Sequence, residues 1–368
     1  MNERIIIGSD THNFESVELL TGIQRVVHDL HVGLVDRLSP RGIDLVPLHI
    51  RSAPRQVKYR NIRYLADDPV LDRQPRFPDE VDAILLLDVA PGSDYGPLHR
   101  SLQKRPRPVI AIVYDILPLK KKDIFDVPVR NPFRLYLQQV LKLADHIVVT
   151  SRHVEDDLRS LGWRFKGQIH VLPLGSTFSP RRPDPPIDDR LSMLYVSTIE
   201  PRKGHGQLVE AFNILRQEGL DVDLTIIGRR GWDSTSLINS WNQHPDFETR
   251  LSWLGSPDDL ILRTHAQRSS IGVCPSMDEG FGLFVEEGLA LGLKMVVSDI
   301  PVFRERLYTN MIFSKRDPAS LARAILAAHR SPWIEPTTPI RLMSDFVEDF
   351  FDLITRVIKI PVERTQRG

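Results

Sequence analysis

The stretch Met277-Asp278-Glu279-Gly280-Phe281-Gly282-Leu283-Phe284-Val285-Glu286-Glu287 limits the possible folds more than any other part of the chain. A run of small and β-branched residues, Ser269 to Ser276, leads into it, and a helix-like pattern follows. This reads as a buried strand, a glycine turn at its carboxyl end, and a helix N-terminus. Such a corner leaves backbone N–H groups without intrahelical partners. It also sets the positive end of a helix dipole beside them, which suits an anion. Glu279 falls in the turn and Glu287 eight residues on, about one turn into the helix. Carboxylates beside a phosphate cradle suit the hydroxyls of a sugar or a ribose. The stretch points to a site for a sugar nucleotide.

The rest of the chain agrees with such a corner. Strand-like runs at Ile5 to Gly8, Ala83 to Leu87, Val109 to Val113 and His146 to Thr150 alternate with helical patterns. Thr21 to Leu38 carries apolar residues at Ile23, Val26, Val27, Leu30, Leu34 and Leu38, a helical spacing. Val154 to Leu161 reads as a short helix ended by Gly162. Beyond residue 190, strands are expected at Met193 to Ser197, Leu224 to Gly228 and Met295 to Ser298. Helices are expected near Gly206 to Glu218, Ala319 to His329 and Ile340 to Val357. This alternation predicts parallel α/β architecture. Four prolines between Ser179 and Pro186 favour an extended connector there. The expected organisation is an acceptor-side domain over 1–178, a linker over 179–190 and a nucleotide-sugar domain over 191–340. A C-terminal helix in 341–368 is expected to return to the first domain. Each domain reads as a Rossmann-like, doubly wound sheet, and two of them would face each other across a cleft. Ligands of such sheets bind at the carboxyl ends of strands, near the switch point.

A second corner lies at Ser197-Thr198-Ile199-Glu200-Pro201-Arg202-Lys203-Gly204, again between a strand and a helix. Arg202 offers a planar fork to phosphate oxygens and Lys203 a mobile point charge. Taken alone, this turn is weak evidence, because ordinary surface turns often carry the same residues. Paired with the glycine corner on the same sheet edge, it completes a cradle for a diphosphate.

Composition narrows the classes further. The 368 residues are 41% hydrophobic and 26% charged with no net charge, so bulk electrostatics do not nominate a nucleic-acid partner. The single cysteine, Cys274, rules out an intrachain disulfide and fits a reducing compartment. The N-terminal residues read as a first strand rather than a leader. No apolar run approaches the length of a membrane span. The expected location is therefore cytoplasmic. Three basic clusters stand out: Arg51 to Arg63, Arg100 to Arg107, and Lys120-Lys121-Lys122. They read either as solvated loops or as a face that meets a phosphorylated acceptor or makes peripheral contact with anionic lipid at the inner side of a membrane. The pair Asp221 and Asp223 precedes a strand, at the wrong sheet edge for this site, and the histidines show no zinc spacing. Neither metal nor cofactor is expected.

Val196 to Phe212 and Pro275 to Glu305 resemble the retaining GT-B glycosyltransferases of the family-four type, the glycosyl transferases group 1. The resemblance rests on two glutamates with seven residues between them, Glu279 and Glu287, and on Pro201-Arg202-Lys203-Gly204. Looser likeness runs through Thr21 to Val26, Val113 to Pro118 and Val171 to Gly175. It implies that Arg202 and Lys203 bind the donor diphosphate, that Glu279 holds donor-sugar hydroxyls, and that Glu287 holds the ribose. Backbone amides at Gly280, Phe281, Gly282 and Leu283 would meet sugar and phosphate. Gly22 would approach the diphosphate from the other domain. Gly228 and Arg229, with Leu254 to Ser256, would lie near the base. Many relatives have His-Asp where this chain has Tyr114-Asp115. The histidine's role therefore does not transfer to Tyr114. Asp115 reads as lining the acceptor side or as capping the next turn.

The function so implied is retaining transfer from a nucleoside-diphosphate sugar to a hydroxyl of a glycan or lipid-linked acceptor. The setting would be surface-polysaccharide synthesis, with GDP-mannose-like donors preferred and UDP-sugars the other option. The alternatives are an epimerase or phosphorylase on the same scaffold, or a nucleotide-sugar-binding protein without turnover. No acid/base set for epimerisation stands out.

Overall fold

The computed structural model describes residues 5–10, 22–48, 69–70, 73–183, 190–255 and 259–359. The chain divides into two compact units: Met1–Pro173 together with Met343–Gly368, and Leu174–Leu342.

The first unit holds six parallel strands: β1 (Ile5–Asp10), β2 (Ile43–Leu48), β3 (Ala83–Leu86), β4 (Val109–Val113), β5 (His146–Val149) and β6 (Gln168–Val171). Their order across the sheet is β2-β1-β3-β4-β5-β6. β3 and β4 are buried along their whole length, as expected of central strands covered by helices on both faces. β2 was not anticipated from the sequence, because Asp44 and Pro47 interrupt its apolar run. It is the edge strand, where a residue without an N–H is tolerated.

The helix Val127–Leu143 was also missed. Pro128 and Pro132 punctuate its start and suggest a loop. Pro128 sits in the first turn, where the N–H would be unpaired in any case. Beyond Pro132 the face Phe133, Tyr136, Leu137, Val140 and Leu141 is buried in the core of the first sheet. Packing of that stripe outweighs the proline penalty.

The second unit holds β7 (Leu191–Val196), β8 (Val222–Ile227), β9 (Leu251–Leu254), β10 (Ile271–Cys274), β11 (Lys294–Ser298) and β12 (Met311–Ser314). All are parallel, in the order β12-β11-β10-β7-β8-β9. The chain winds outward from β7 in one direction, returns to β10 beside it, and winds outward in the other. The switch point therefore falls between β7 and β10. The core combines Leu194, Ile226, Val273 and Val296 of the sheet with Phe212, Phe303 and Ile325 of the covering segments. Both units are doubly wound α/β sheets.

Part of the proline-rich stretch lies outside the described residues. What precedes it is fastened to the second unit. Phe178 is in the core, and the Arg181 backbone N–H donates to the Ala290 carbonyl at 2.9 Å. The two ends of this unit are joined to each other, because the Ser176 N–H donates to the Arg341 carbonyl at 2.8 Å. The last described helix begins at Met343, three residues later than its spacing suggested, and runs to Val357. It packs on Gly22–Leu38 of the first unit, with Val347 against Gly33 and Arg37 Nε 2.8 Å from Glu348 Oε2.

Candidate active site

β7 and β10 are neighbours, so the loops leaving their carboxyl ends lie side by side. The first loop runs through Ser197–Glu200 into a single 3-10 turn, Pro201–Lys203, and then Gly204 and the helix His205–Gln217. The second runs from Pro275 through the glycine turn into the helix Leu283–Ala290. The Met277 N–H donates to the Arg202 carbonyl at 2.8 Å and ties one loop to the other. From below, the buried Tyr195 hydroxyl donates to the Lys203 carbonyl (2.8 Å) and lies 3.2 Å from Ser276 Oγ.

Glu279 is the centre of this junction. Its Oε1 accepts from Lys203 Nζ (2.6 Å) and Ser276 Oγ (2.7 Å), and its Oε2 from Arg202 Nη1 (3.1 Å). Arg202 also reaches Glu200 Oε1 with Nε at 2.7 Å and the Asp278 carbonyl at 3.3 Å. Asp278 Oδ1 accepts the Glu279 N–H at 3.0 Å, which fixes the turn. The side chains of Arg202, Lys203 and Glu279 are only 16%, 14% and 8% exposed, so their charges act on one another with little solvent screening. Burial alone would raise the Glu279 carboxyl. The charges of Lys203 and Arg202 and the hydrogen bonds from Lys203 and Ser276 outweigh it and hold the pKa at about 2.

His205, the first residue of its helix, is buried with Nε2 3.1 Å from Ser197 Oγ. Burial, reinforced by Lys203, lowers its pKa to about 3, so it stands neutral beside the cations.

Glu287 sits in the second turn of the Leu283–Ala290 helix, buried, and accepts from Thr177 Oγ1 at 3.4 Å. Gly280, Phe281 and Gly282 form the turn, and Leu283 opens the helix. At the neighbouring strand end, Gly228 carries a φ of 154°, and a Cβ there would fall 1.8 Å from the Ser197 carbonyl oxygen. Gly228 thus lets β8 close on the first loop, where the Ile199 N–H donates to the Arg229 carbonyl at 2.9 Å. The Arg229 Nε is buried without a partner. Gly228→Ala is expected to lower unfolding stability by about 1–3 kcal/mol, read as a shifted denaturation midpoint at unchanged slope.

In the first unit, Gly22 is the exposed first residue of its helix, with open space where a Cβ would stand. The Tyr114 hydroxyl donates to the Leu87 carbonyl at 2.9 Å, and Asp115 Oδ1 accepts the Leu117 N–H at 3.1 Å, which caps the following turn. The Arg51 to Arg63 cluster lies outside the described residues. In the other two clusters, Arg107 is buried with its guanidinium on the Pro78 carbonyl and Ser101, and Lys120 pairs with Asp157. These two cations are engaged inside the unit.

Asp221 and Asp223 flank the amino end of β8, and each is bridged by Arg190 and Arg250. Among the described residues, no group of three or more His, Cys, Asp or Glu side chains is placed to hold a metal ion. Nor is any helix among them long and apolar enough to cross a membrane.

Arg202, Lys203, Glu279 and the glycine turn, nominated separately from sequence, are therefore in contact. Glu200, Tyr195, Ser276 and Thr177 were not singled out. Glu200 and Ser276 lie two and three residues from nominated side chains, a usable local signal. Tyr195 and Thr177 join only through the tertiary fold.

Known proteins resemble this chain in part of its sequence and in its fold. The family glycosyl transferases group 1 matches residues 190–331. The serotype-specific mannosyltransferase WbdA of Escherichia coli is 30% identical over 236 residues, covering 58% of this chain and 29% of that protein. The chain thus spans under a third of that relative. Sucrose-phosphate synthase from Thermosynechococcus elongatus superposes with a TM-score of 0.64 at 17% identity, over 96% of each chain. HepE of Anabaena, solved in complex with UDP and glucose, gives 0.64 at 13% identity, over 96% of this chain and 95% of that one. These structural likenesses speak for the fold. The family match is thus confined to residues 190–331, while the fold shared along nearly the whole chain is the GT-B fold.

Proposed function

We propose that the protein is a retaining glycosyltransferase that moves a sugar from a nucleoside diphosphate to a hydroxyl of a glycan or lipid-linked acceptor. The observation that carries this reading is Glu279 bridging Arg202 and Lys203 at the switch point of the second sheet. Two cations beside a helix N-terminus match a diphosphate. In the free protein, Glu279 neutralises them. An entering diphosphate takes over both cations and releases the Glu279 oxygens to accept hydroxyls of the donor sugar. Glu287, one helix turn on, takes the ribose, and the strand end at Gly228 and Arg229 lies toward the base.

The chemistry needs little else from the chain. As the bond from the anomeric carbon to the phosphate oxygen breaks, the acceptor oxygen bonds that carbon on the same face. Its proton passes to the departing phosphate. The protein's part is to hold fixed charge where the leaving group's charge develops. Arg202 and Lys203 supply that charge, and a divalent ion is not required. Mannose is the preferred sugar and GDP the preferred carrier, in surface-polysaccharide synthesis. The likeness to a mannosyltransferase supports the sugar assignment. Peripheral contact with anionic lipid is proposed for the basic loops of the first unit.

The test is incubation with a panel of GDP- and UDP-sugars, with and without EDTA, watching for released nucleoside diphosphate. Slow acceptor-free hydrolysis of one donor, unchanged by EDTA, is the expected result. Binding without turnover of any donor would favour a non-catalytic protein instead.

A further inference from the structure

Glu286 stands beside Glu287 in sequence but faces another way, as adjacent helical positions must. It is fully buried, and its partners are specific. Arg306 Nη1 lies 2.5 Å from Oε1, and the Tyr308 hydroxyl reaches Oε1 at 3.1 Å and Oε2 at 2.9 Å. The same guanidinium donates through Nη2 to the Phe281 carbonyl and lies 3.8 Å over the Phe281 ring. One residue on, Gly282 has a φ of 83°, and a Cβ there would fall 2.4 Å from the Phe303 ring. The glycine corner is therefore held at the Phe281 ring, the Phe281 carbonyl and the Gly282 Cα.

Of these holds, the one on the carbonyl has a directional consequence. The peptide between Phe281 and Gly282 is planar and trans, so its carbonyl and its N–H point in opposite directions. A guanidinium that keeps the carbonyl on its own side turns the Gly282 N–H to the other. Holding one atom of that unit thus orients the donor that a phosphate or sugar oxygen would meet.

We infer that Arg306, with Glu286 as its buried counter-ion, is a positioning residue that sets the backbone of the Phe281–Leu283 corner and, through it, the grip on the donor. The effect on donor binding rests on the transferase reading above; the ordering of the corner does not. Arg306 touches no reacting atom. Its planar fork serves Glu286 and the Phe281 carbonyl together, which a lysine's single ammonium cannot reproduce. Tyr308 touches only the Glu286 end of the arrangement.

That asymmetry gives the experiment. Arg306→Lys and Tyr308→Phe are compared with the wild type by calorimetric titration with GDP and UDP, thermal melting, and amide hydrogen exchange at residues 281–284. Arg306→Lys is expected to weaken binding of the preferred diphosphate about tenfold or more and to speed exchange at the corner. Tyr308→Phe is expected to lower the melting temperature while leaving diphosphate affinity within about twofold and exchange at 281–283 near wild type. If both variants lose affinity in proportion to their loss of stability, or if Arg306→Lys binds as the wild type does, the positioning role is wrong. If the wild type itself binds neither diphosphate, the transferase reading fails. Exchange then still decides the inference: an unchanged corner in Arg306→Lys overturns it, and a loosened one upholds it.

Discussion

Lys203→Ala should slow sugar transfer on the order of 30- to 1,000-fold, which corresponds to about 2–4 kcal/mol in the barrier. The ammonium is one of two cations at the junction and lies 2.6 Å from Glu279 Oε1. In the proposed reaction it meets the diphosphate as the leaving group's charge develops, so its loss removes transition-state stabilisation together with ground-state binding. The fold should survive the change, because Glu279 keeps Arg202 at 3.1 Å and Ser276 Oγ at 2.7 Å. The measurement is kcat/KM with the donor found in the panel, set beside a melting curve. Wild-type turnover by a properly folded Lys203→Ala protein would remove this turn from the site.

Removing the carboxylate should act chiefly on stability. Glu279→Ala takes from Arg202 and Lys203, 16% and 14% exposed, the carboxylate that they share. Deleting one partner of a buried pair costs about 3–5 kcal/mol, since the remaining charge is stripped of both water and counter-ion. Isothermal denaturation of the variant should show this loss, and a loss below about 1 kcal/mol would mean the junction is well hydrated. The pH dependence gives a second check. The folded-state pKa of Glu279 lies below the ordinary 4.5, at about 2, so the unfolded chain takes up the proton first as the solution is acidified. The stabilisation is complete above 4.5 and drains away as pH falls toward 2. The stability gap between wild type and Glu279→Gln should therefore hold constant at neutral pH and narrow across that acid window.

The two corners were legible because each is a local device. A buried strand, a turn rich in glycine or proline and a helix start are written in consecutive residues, and the chemistry of Arg202, Lys203, Glu279 and Glu287 is written on them. The register that puts β7 beside β10 follows from the winding order of the sheet. That order is set by long-range packing, so the salt bridges of Glu279 to Arg202 and Lys203 were not read from the sequence. Glu286 shows the limit most clearly. In sequence it is one acid next to another. Its partners, Arg306 and Tyr308, come from the segment between β11 and β12, which the pairing of those strands brings back to the glycine corner. The helix Val127–Leu143 and strand β2 were obscured for another reason. Pro128 sits in a first turn and Pro47 on a sheet edge, where the fold tolerates them, and the buried face beyond Pro132 outweighs the penalty of that interior proline.

The bond between Ser176 and Arg341 has a topological consequence. The second unit leaves and re-enters the first at one place, so it is an insertion whose two ends are stitched together. Leu174–Leu342 could be expressed as one uninterrupted length of polypeptide, or even circularised across that stitch. No single cut releases the first unit intact, because its closing helix is encoded after the insertion.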